Sequence, residues 1–532
     1  MKKGKNYLFV LVLLLVVTNI QARDFNILDF GAKQESMNNA PAIQAAIDSC
    51  TSNGGGRVVI PAGNFVTGTL IMKDNVELHV SNGAVLLGSK NIEHYPDIKP
   101  EYASLRTSGY VKQLIYAENV KNIKISGFGE IDGQGRGFKR VGNDEGVNRP
   151  HMIQFISCYN VGVYDVSLKN SGAWMQHYLA CEEVQIRGIK IFNHNNYNND
   201  GLDIDGCKNV TISDIISDTD DDGITLKSAS GRPCENISIT NSVVSSHCNA
   251  IKMGTESNGG FRNISISNCV VKPSAVTDST FYGQKIGISG LALEIVDGGT
   301  MEGVVISGIK IEGTFAPIFI RLGNRARPYQ EGMEITNVGK LGDVLISDVH
   351  ISNAKNIACS ITGLPDNPVQ NIILNNIVLK HEGGGVLADF NNEIPEKEKD
   401  YPEGTMFGIL PAHGFFIRHA KNITLKSIQI ETQAEDLRPA FILEDVSGGQ
   451  FSDIQLLNKG KSVAGFALKD SEHILVKNSF YNSDSDSFVK MMGGKLSGIS
   501  ILNNVLYQSK SIFSEKQRSK SIIEQGNVFL KR

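Results

Sequence analysis

Three aspartates stand at spacings that carboxylate chemistry could use. Asp200 lies in NNDGLDIDG, which starts at Asn198; Asp221 and Asp222 lie in DDDGITLKS, which starts at Asp220; a third segment, HCNAIKMGT, starts at His247. The segments align without gaps. Asp200, Asp222 and Asn249 share one column, Asn199, Asp221 and Cys248 the next, and Asn198, Asp220 and His247 the one beyond. If each segment belongs to one turn of a stacked repeat, strands about 4.8 Å apart bring Asp200, Asp221 and Asp222 onto one patch. Carboxylates that close raise at least one of their pKa values, which separates an acid from a base as glycosidic cleavage requires. Clustered carboxylates also suit Ca²⁺, and isolated Asp-Gly pairs are commonly turns.

A repeat positions them. The phrase Asn-(Val/Ile)-x-(Ile/Leu)-x-x-(Ile/Val)-x-(Ile/Leu/Val) starts at Asn122, Asn160, Asn209, Asn236, Asn263, Asn371 and Asn422, with degenerate copies near Glu183, Gly303, Asp343, His473 and Gly498. The steps from Glu183 to Asn209, Asn236 and Asn263 are 26, 27 and 27 residues. Short runs of alternating apolar residues predict strands with one buried face. A strand recurring at this period closes its core only by stacking on the next turn, which predicts an all-β parallel β-helix. The opening Asn suits a left-handed bend and a side-chain ladder between coils. Asn39-Ala40-Pro41 leads into a predicted helix over 42–50, whose Ile43, Ala46, Ile47 and Cys50 share a face that caps the first coil. The last hundred residues read as degenerate final coils. No Pro/Ser-rich linker interrupts the chain, so residues 23–532 are expected to form one domain.

Composition agrees with many short strands: 54 glycines, 15 prolines and 7% aromatic residues among 532. A formal charge of -4 gives no reason to expect nucleic acid or anionic membrane as a partner. Lys2, Lys3 and Lys5 precede an apolar run from Tyr7 to Val17 and then Asn19-Ile20-Gln21-Ala22, so residues 1–22 read as a signal peptide. Eleven apolar residues are too few to span a bilayer, and the mature protein is expected to be an exported monomer, periplasmic or extracellular. Removing the three lysines takes the formal charge from -4 to about -7. Cys158, Cys207 and Cys234 each sit two residues before a repeat Asn, and Cys181 two before Glu183, which predicts a stack of buried free thiols rather than disulfides.

The Asn198-Asn199-Asp200-Gly201 motif, with Asp221-Asp222 starting 21 residues after Asp200, resembles the signature of glycoside hydrolase family 28, the polygalacturonases and rhamnogalacturonan hydrolases. ISGFGEIDGQG near Ile125, RPHMIQF at Arg149 and NSGAWMQH around Trp174 resemble the same family, over roughly Phe25 to Arg325. The resemblance implies a right-handed, pectin lyase-like β-helix, a pectic polysaccharide substrate, and neither metal nor cofactor. It further implies Asp221 as general acid, with Asp200 and Asp222 activating water and inverting the anomeric centre. Two motifs depart from it. Cys248-Asn249-Ala250 stands where polygalacturonases carry Gly-His-Gly, with His247 nearby, and Ala292-Leu293-Glu294 stands where they carry Arg-Ile-Lys. Arg187-Gly188-Ile189-Lys190 looks similar but lies in a repeat strand.

Alternation places Asp203, Thr225, Lys252, Glu294 and Arg321 outward in a row beside the aspartates, where Lys252 and Arg321 could read a uronate carboxylate. Asn198, His247, Asn249, Lys252, Glu294 and Arg321 are therefore the candidate substrate-binding residues. Arg325, Arg327 and the loop starting at Tyr401 are expected to frame the cleft, and the loop could equally cover an apolar patch. Substituted galacturonan or rhamnogalacturonan is expected ahead of smooth polygalacturonate. The other functions open to this fold are a Ca²⁺-dependent polysaccharide lyase and a non-catalytic carbohydrate-binding β-helix.

Overall fold

Every repeat start named above bends through the left-handed region. Asn122, Asn160, Glu183, Asn209, Asn236 and Asn263 have φ between 55° and 59° in a computed structural model of the chain, which describes residues 23–107, 109, 111–140, 148–276, 285–514 and 521–530. The proposed signal segment, 1–22, lies outside the described residues. The bend frees each side chain to bond its equivalent one coil away. Asn160 Nδ2 donates to Asn122 Oδ1 at 2.9 Å, Asn236 to Asn209 at 2.9 Å and Asn263 to Asn236 at 3.1 Å. Asn209 completes the run by donating to Glu183 at 2.8 Å.

These bends join three parallel sheets into a right-handed β-helix whose paired strands run from Asp24–Asn26 to Val528–Leu530. In every described pair of strands the register is parallel and coil-to-coil, as in Val210↔Ile237 and Ile237↔Ile264. Inward residues form one continuous apolar core, including Cys158, Cys181, Cys207 and Cys234, all buried and free as expected. The N-terminal helix, Ala40–Ser52, buries Ile43, Ala46, Ile47 and Cys50 over the first coil, with Pro41 in its first turn.

One sheet carries the candidate site. Its strands include Gln176–Leu179, Leu202–Asp205, Ile224–Ser228, Asn249–Ser257, Ser289–Ile295 and Ala316–Leu322. The alignment of the three aspartate segments holds: Leu202↔Ile224↔Ile251 and Ile204↔Leu226↔Met253 are in register and point inward.

The expected outward row is corrected beyond Lys252. It runs Asp203↔Thr225↔Lys252↔Ala292↔Phe319, while Glu294 pairs with Arg321 two residues further along their strands. A two-residue slip leaves a side chain on the same face, so alternation fixed the face and not the register. Ala292, Ala316, Phe319 and Phe416 instead form an apolar outer patch, covered by the 382–414 insertion through Phe390, Phe407 and Leu410. Of the two roles open to this loop, the structure shows it covering the patch, and its first part also reaches the site.

Candidate active site

Asp200 and the Asp221-Asp222 pair end the turns that enter two neighbouring strands, and Asn249 opens the third. Gly201 N donates to Asp222 O, and Gly223 N to Asn249 O, each at 2.9 Å, locking the turns together. The glycine after Asp222 is required by this approach, since a Cβ at Gly223 would lie 2.4 Å from Val244 Cγ1 and 2.6 Å from Ala250 O. The stacking brings one carboxylate oxygen each of Asp200, Asp221 and Asp222 within 4.8 Å of one another. Asp200 and Asp222 are buried and Asp221 keeps partial exposure.

The adjacent aspartates meet opposite electrostatics. Asp222 Oδ1 accepts from Asn249 N at 3.2 Å and Nδ2 at 2.8 Å, and its Oδ2 accepts from Lys252 Nζ at 3.0 Å. Burial opposes its ionisation, but Lys252, Lys227 and these hydrogen bonds together hold its pKa below the usual carboxylate value. Burial and the charge of Asp222 push Asp221 up to about 7. Burial, Asp203 and Asp221 raise Asp200 well above its ordinary value, and its Oδ1 has no hydrogen-bond partner.

A layer of charge surrounds the trio, in which Asp203 and Arg327 were expected near the site and Lys227, Glu256 and Arg106 were not singled out by the sequence reading. Lys227 Nζ lies 3.3 Å from Asp203 Oδ1, 3.5 Å from Glu256 Oε2 and 3.7 Å from Asp200 Oδ2, and 4.5 Å from the centre of the Trp174 ring. Arg106 Nε donates to Glu256 Oε1 at 3.0 Å, and Arg327 pairs with Asp297 at 2.6 Å and Glu256 at 3.4 Å. Lys227 was open to detection, because it lies outward on its strand two residues after Thr225. Arg106 gave no periodic signal: it belongs to an excursion docked on the Lys227 coil through Leu105 N to Ala229 O, 2.8 Å.

The 382–414 insertion adds two more groups. Lys252 Nζ donates to Tyr401 Oη at 3.3 Å, and the Arg325 guanidinium lies 5.1 Å from the Tyr401 ring centre. Burial and Asp222 raise the pKa of Glu403. Gly404 rests directly on the sheet, where a Cβ would meet Ser289 Oγ at 2.5 Å and Ala316 Cβ at 2.8 Å.

The candidate substrate-binding residues divide. Lys252 and Asn249 join the aspartates through Asp222. Glu294 is buried beside Lys252, its two carboxyl oxygens lack hydrogen-bond partners, and burial lifts it to about 8 against the pull of Lys252. Asn198 is tied down by Arg149 Nη2, 3.1 Å from its Oδ1. His247 is buried against Asp220, Nδ1 to Oδ1 3.0 Å, rather than open to a ligand in the cleft. Arg321 is buried away from the trio, donating to Gly363 O at 3.1 Å and Glu396 O at 2.6 Å. Its guanidinium holds the insertion in place, because backbone carbonyls in a loop over an apolar patch need donors.

The three aspartates could in principle ligate a cation, but the ammonium groups of Lys252 and Lys227 already supply positive charge there. What the geometry offers is a proton-holding carboxyl beside an ionised one, on the outer face of a parallel β-helix. Such a fold and site define the carbohydrate-active β-helix class. Within it the chain belongs to glycosyl hydrolases family 28, whose model matches residues 50–392. A probable polygalacturonase of Vitis vinifera is 30% identical over 220 residues, 39% of this chain and 45% of its own length. The chain spans about half the length of the curated relatives it matches. The hyperthermoactive exopolygalacturonase of Thermotoga maritima superposes with a TM-score of 0.57 at 25% identity, over 68% of this chain and 88% of that one. The family 28 exopolygalacturonase of Yersinia enterocolitica shares the fold, with a TM-score of 0.63 at 20% identity over 81% and 78% of the two chains.

Proposed function

We propose that this chain is an exported glycosidase that hydrolyses pectic polysaccharide, with Asp221 as general acid, Asp222 as the base that deprotonates water and Asp200 as a group that holds it. The observation that carries this reading is the opposed environment of two adjacent carboxyls: Asp221 raised to about 7 and Asp222 held low by Lys252 and Asn249. Asp221 then enters the reaction protonated and gives its proton to the leaving oxygen. Family membership and the pectic relatives support the substrate class.

The nearest carboxylate oxygens, within 4.8 Å, lie closer than the roughly 6.5–9.5 Å separation of carboxyl groups usual for inverting enzymes. Spacing alone would suit a covalent double displacement. Asp222, however, is the ionised group, and its two oxygens are committed to Asn249 and Lys252. That engagement suits a water-holding base better than a nucleophile, so single displacement with inversion is our reading.

Lys252, Lys227, Arg106 and Arg327 surround the aspartates with positive charge, each of them paired with a carboxylate of the chain. Substituted galacturonan or rhamnogalacturonan remains the favoured substrate, because Ala292-Leu293-Glu294 offers no cation in place of Arg-Ile-Lys. The test is product analysis on a panel of pectic oligosaccharides. New saturated reducing ends without added Ca²⁺ support the reading. Unsaturated, ultraviolet-absorbing ends would make the chain a lyase, and binding without cleavage a carbohydrate-binding module.

A further inference from the structure

A second polar cluster is buried one step before the aspartates. Asn193↔Thr219↔Ser246 are in register on three successive coils, so the residues that follow them, His194, Asp220 and His247, stack in one ladder. Their exposures are 2%, 0% and 1%. One ligand-type atom from each lies within 4.8 Å of the others, and the two imidazole centres are 5.3 Å apart with planes crossed at 72°.

Each imidazole spends one nitrogen on a carboxylate. His194 Nε2 lies 2.9 Å from Asp218 Oδ1 and 3.4 Å from Ser274 Oγ; His247 Nδ1 lies 3.0 Å from Asp220 Oδ1. The remaining nitrogens, His194 Nδ1 and His247 Nε2, are buried without a hydrogen-bond partner. For His194 the Asp218 carboxylate on Nε2 draws the proton there and leaves the lone pair on Nδ1, the arrangement that a carboxylate–histidine pair gives a metal ligand. Buried polar atoms are rarely left unsatisfied, and two imidazole lone pairs beside a carboxylate match the donors of a divalent first-row transition ion rather than Ca²⁺ or Mg²⁺.

We propose that His194, Asp220 and His247 form a structural binding site for a divalent transition-metal ion of the Zn²⁺ type, with Asp218 orienting His194 from behind. Bonds of about 2.0 Å space tetrahedral ligands about 3.3 Å apart, close to the 3.0 Å between His247 Nδ1 and Asp220 Oδ1, so the ion takes the place of the proton between them. The ion ties together three coils, and its carboxylate ligand immediately precedes Asp221 in the chain. Its role is to fix the turn that presents the candidate acid. Full burial keeps it away from substrate.

The test reads metal rather than activity. Full-length protein is stripped with a chelator, then titrated with Zn²⁺ and, separately, with Co²⁺. We expect one ion per chain, a Zn²⁺-dependent rise in Tm, and the visible absorption of four- or five-coordinate Co²⁺ with nitrogen donors. His194→Gln and His247→Gln should abolish the stoichiometric binding, while His419→Gln, at a distant coil, leaves it intact. If the variants do not fold, the wild-type stoichiometry and Co²⁺ spectrum still decide. A wild-type chain that takes up no Zn²⁺ or Co²⁺, either on titration or when produced in Zn²⁺-supplemented medium, overturns the proposal. So does a folded His194→Gln/His247→Gln double variant that keeps its ion, which would place the metal elsewhere.

Discussion

Lys252 Nζ sits 3.0 Å from Asp222 Oδ2, placing a full positive charge beside Asp222 while its neighbour Asp221 faces burial and the negative charge of Asp222. Two residues adjacent in sequence thus acquire opposite protonation tendencies from a lysine one coil away. If Asp221 is the acid, Asp221→Asn removes the proton without altering the turn. Turnover should fall by roughly 10²–10⁴, with the circular dichroism spectrum and Tm unchanged. Retention of more than a tenth of the wild-type rate would sink the assignment.

The pH profile of kcat/KM should be bell-shaped. Asp221 must be protonated, so activity declines as pH rises through about 7; Asp222 must be ionised, so activity also declines on the acid side, below the usual carboxylate range. Lys252 lowers the pKa of both groups. Lys252→Met should therefore move both limbs to higher pH. A profile that merely drops in height, with its limbs unmoved, would show that Lys252 does not tune the pair.

Stereochemistry separates the two displacement mechanisms. Proton NMR of the first products should show inverted anomers before mutarotation. Retained configuration would assign Asp222 or Asp200 as a nucleophile, in keeping with the short carboxylate spacing.

Arg321 should behave as a structural residue. Arg321→Met orphans the buried carbonyl of Gly363 and the partly buried one of Glu396, at a cost of about 1–3 kcal/mol for the buried one. The expected result is a lower Tm and faster proteolysis within the 382–414 insertion, with equal relative effects on free-acid and methyl-esterified oligosaccharides. A selective loss on the free acid would return Arg321 to the substrate.

The sequence by itself determined the β-helix, its capping helix, the buried cysteine ladder and the meeting of Asp200, Asp221 and Asp222. Each is written in local periodicity: alternation sets the buried face, Asn122 and its equivalents mark the bends, and aligned segments must stack when a solenoid adds one coil at a time. Tertiary structure decided the rest. Alternation could not distinguish Lys252 beside Ala292 from Lys252 beside Glu294, because a two-residue slip preserves the face. Arg106, Tyr401 and Glu403 arrive on excursions that obey no repeat, and only the folded chain places them against the coils of Lys227 and Lys252. The protonation of the aspartates was decided there too, since burial and the reach of lysines from neighbouring coils set it.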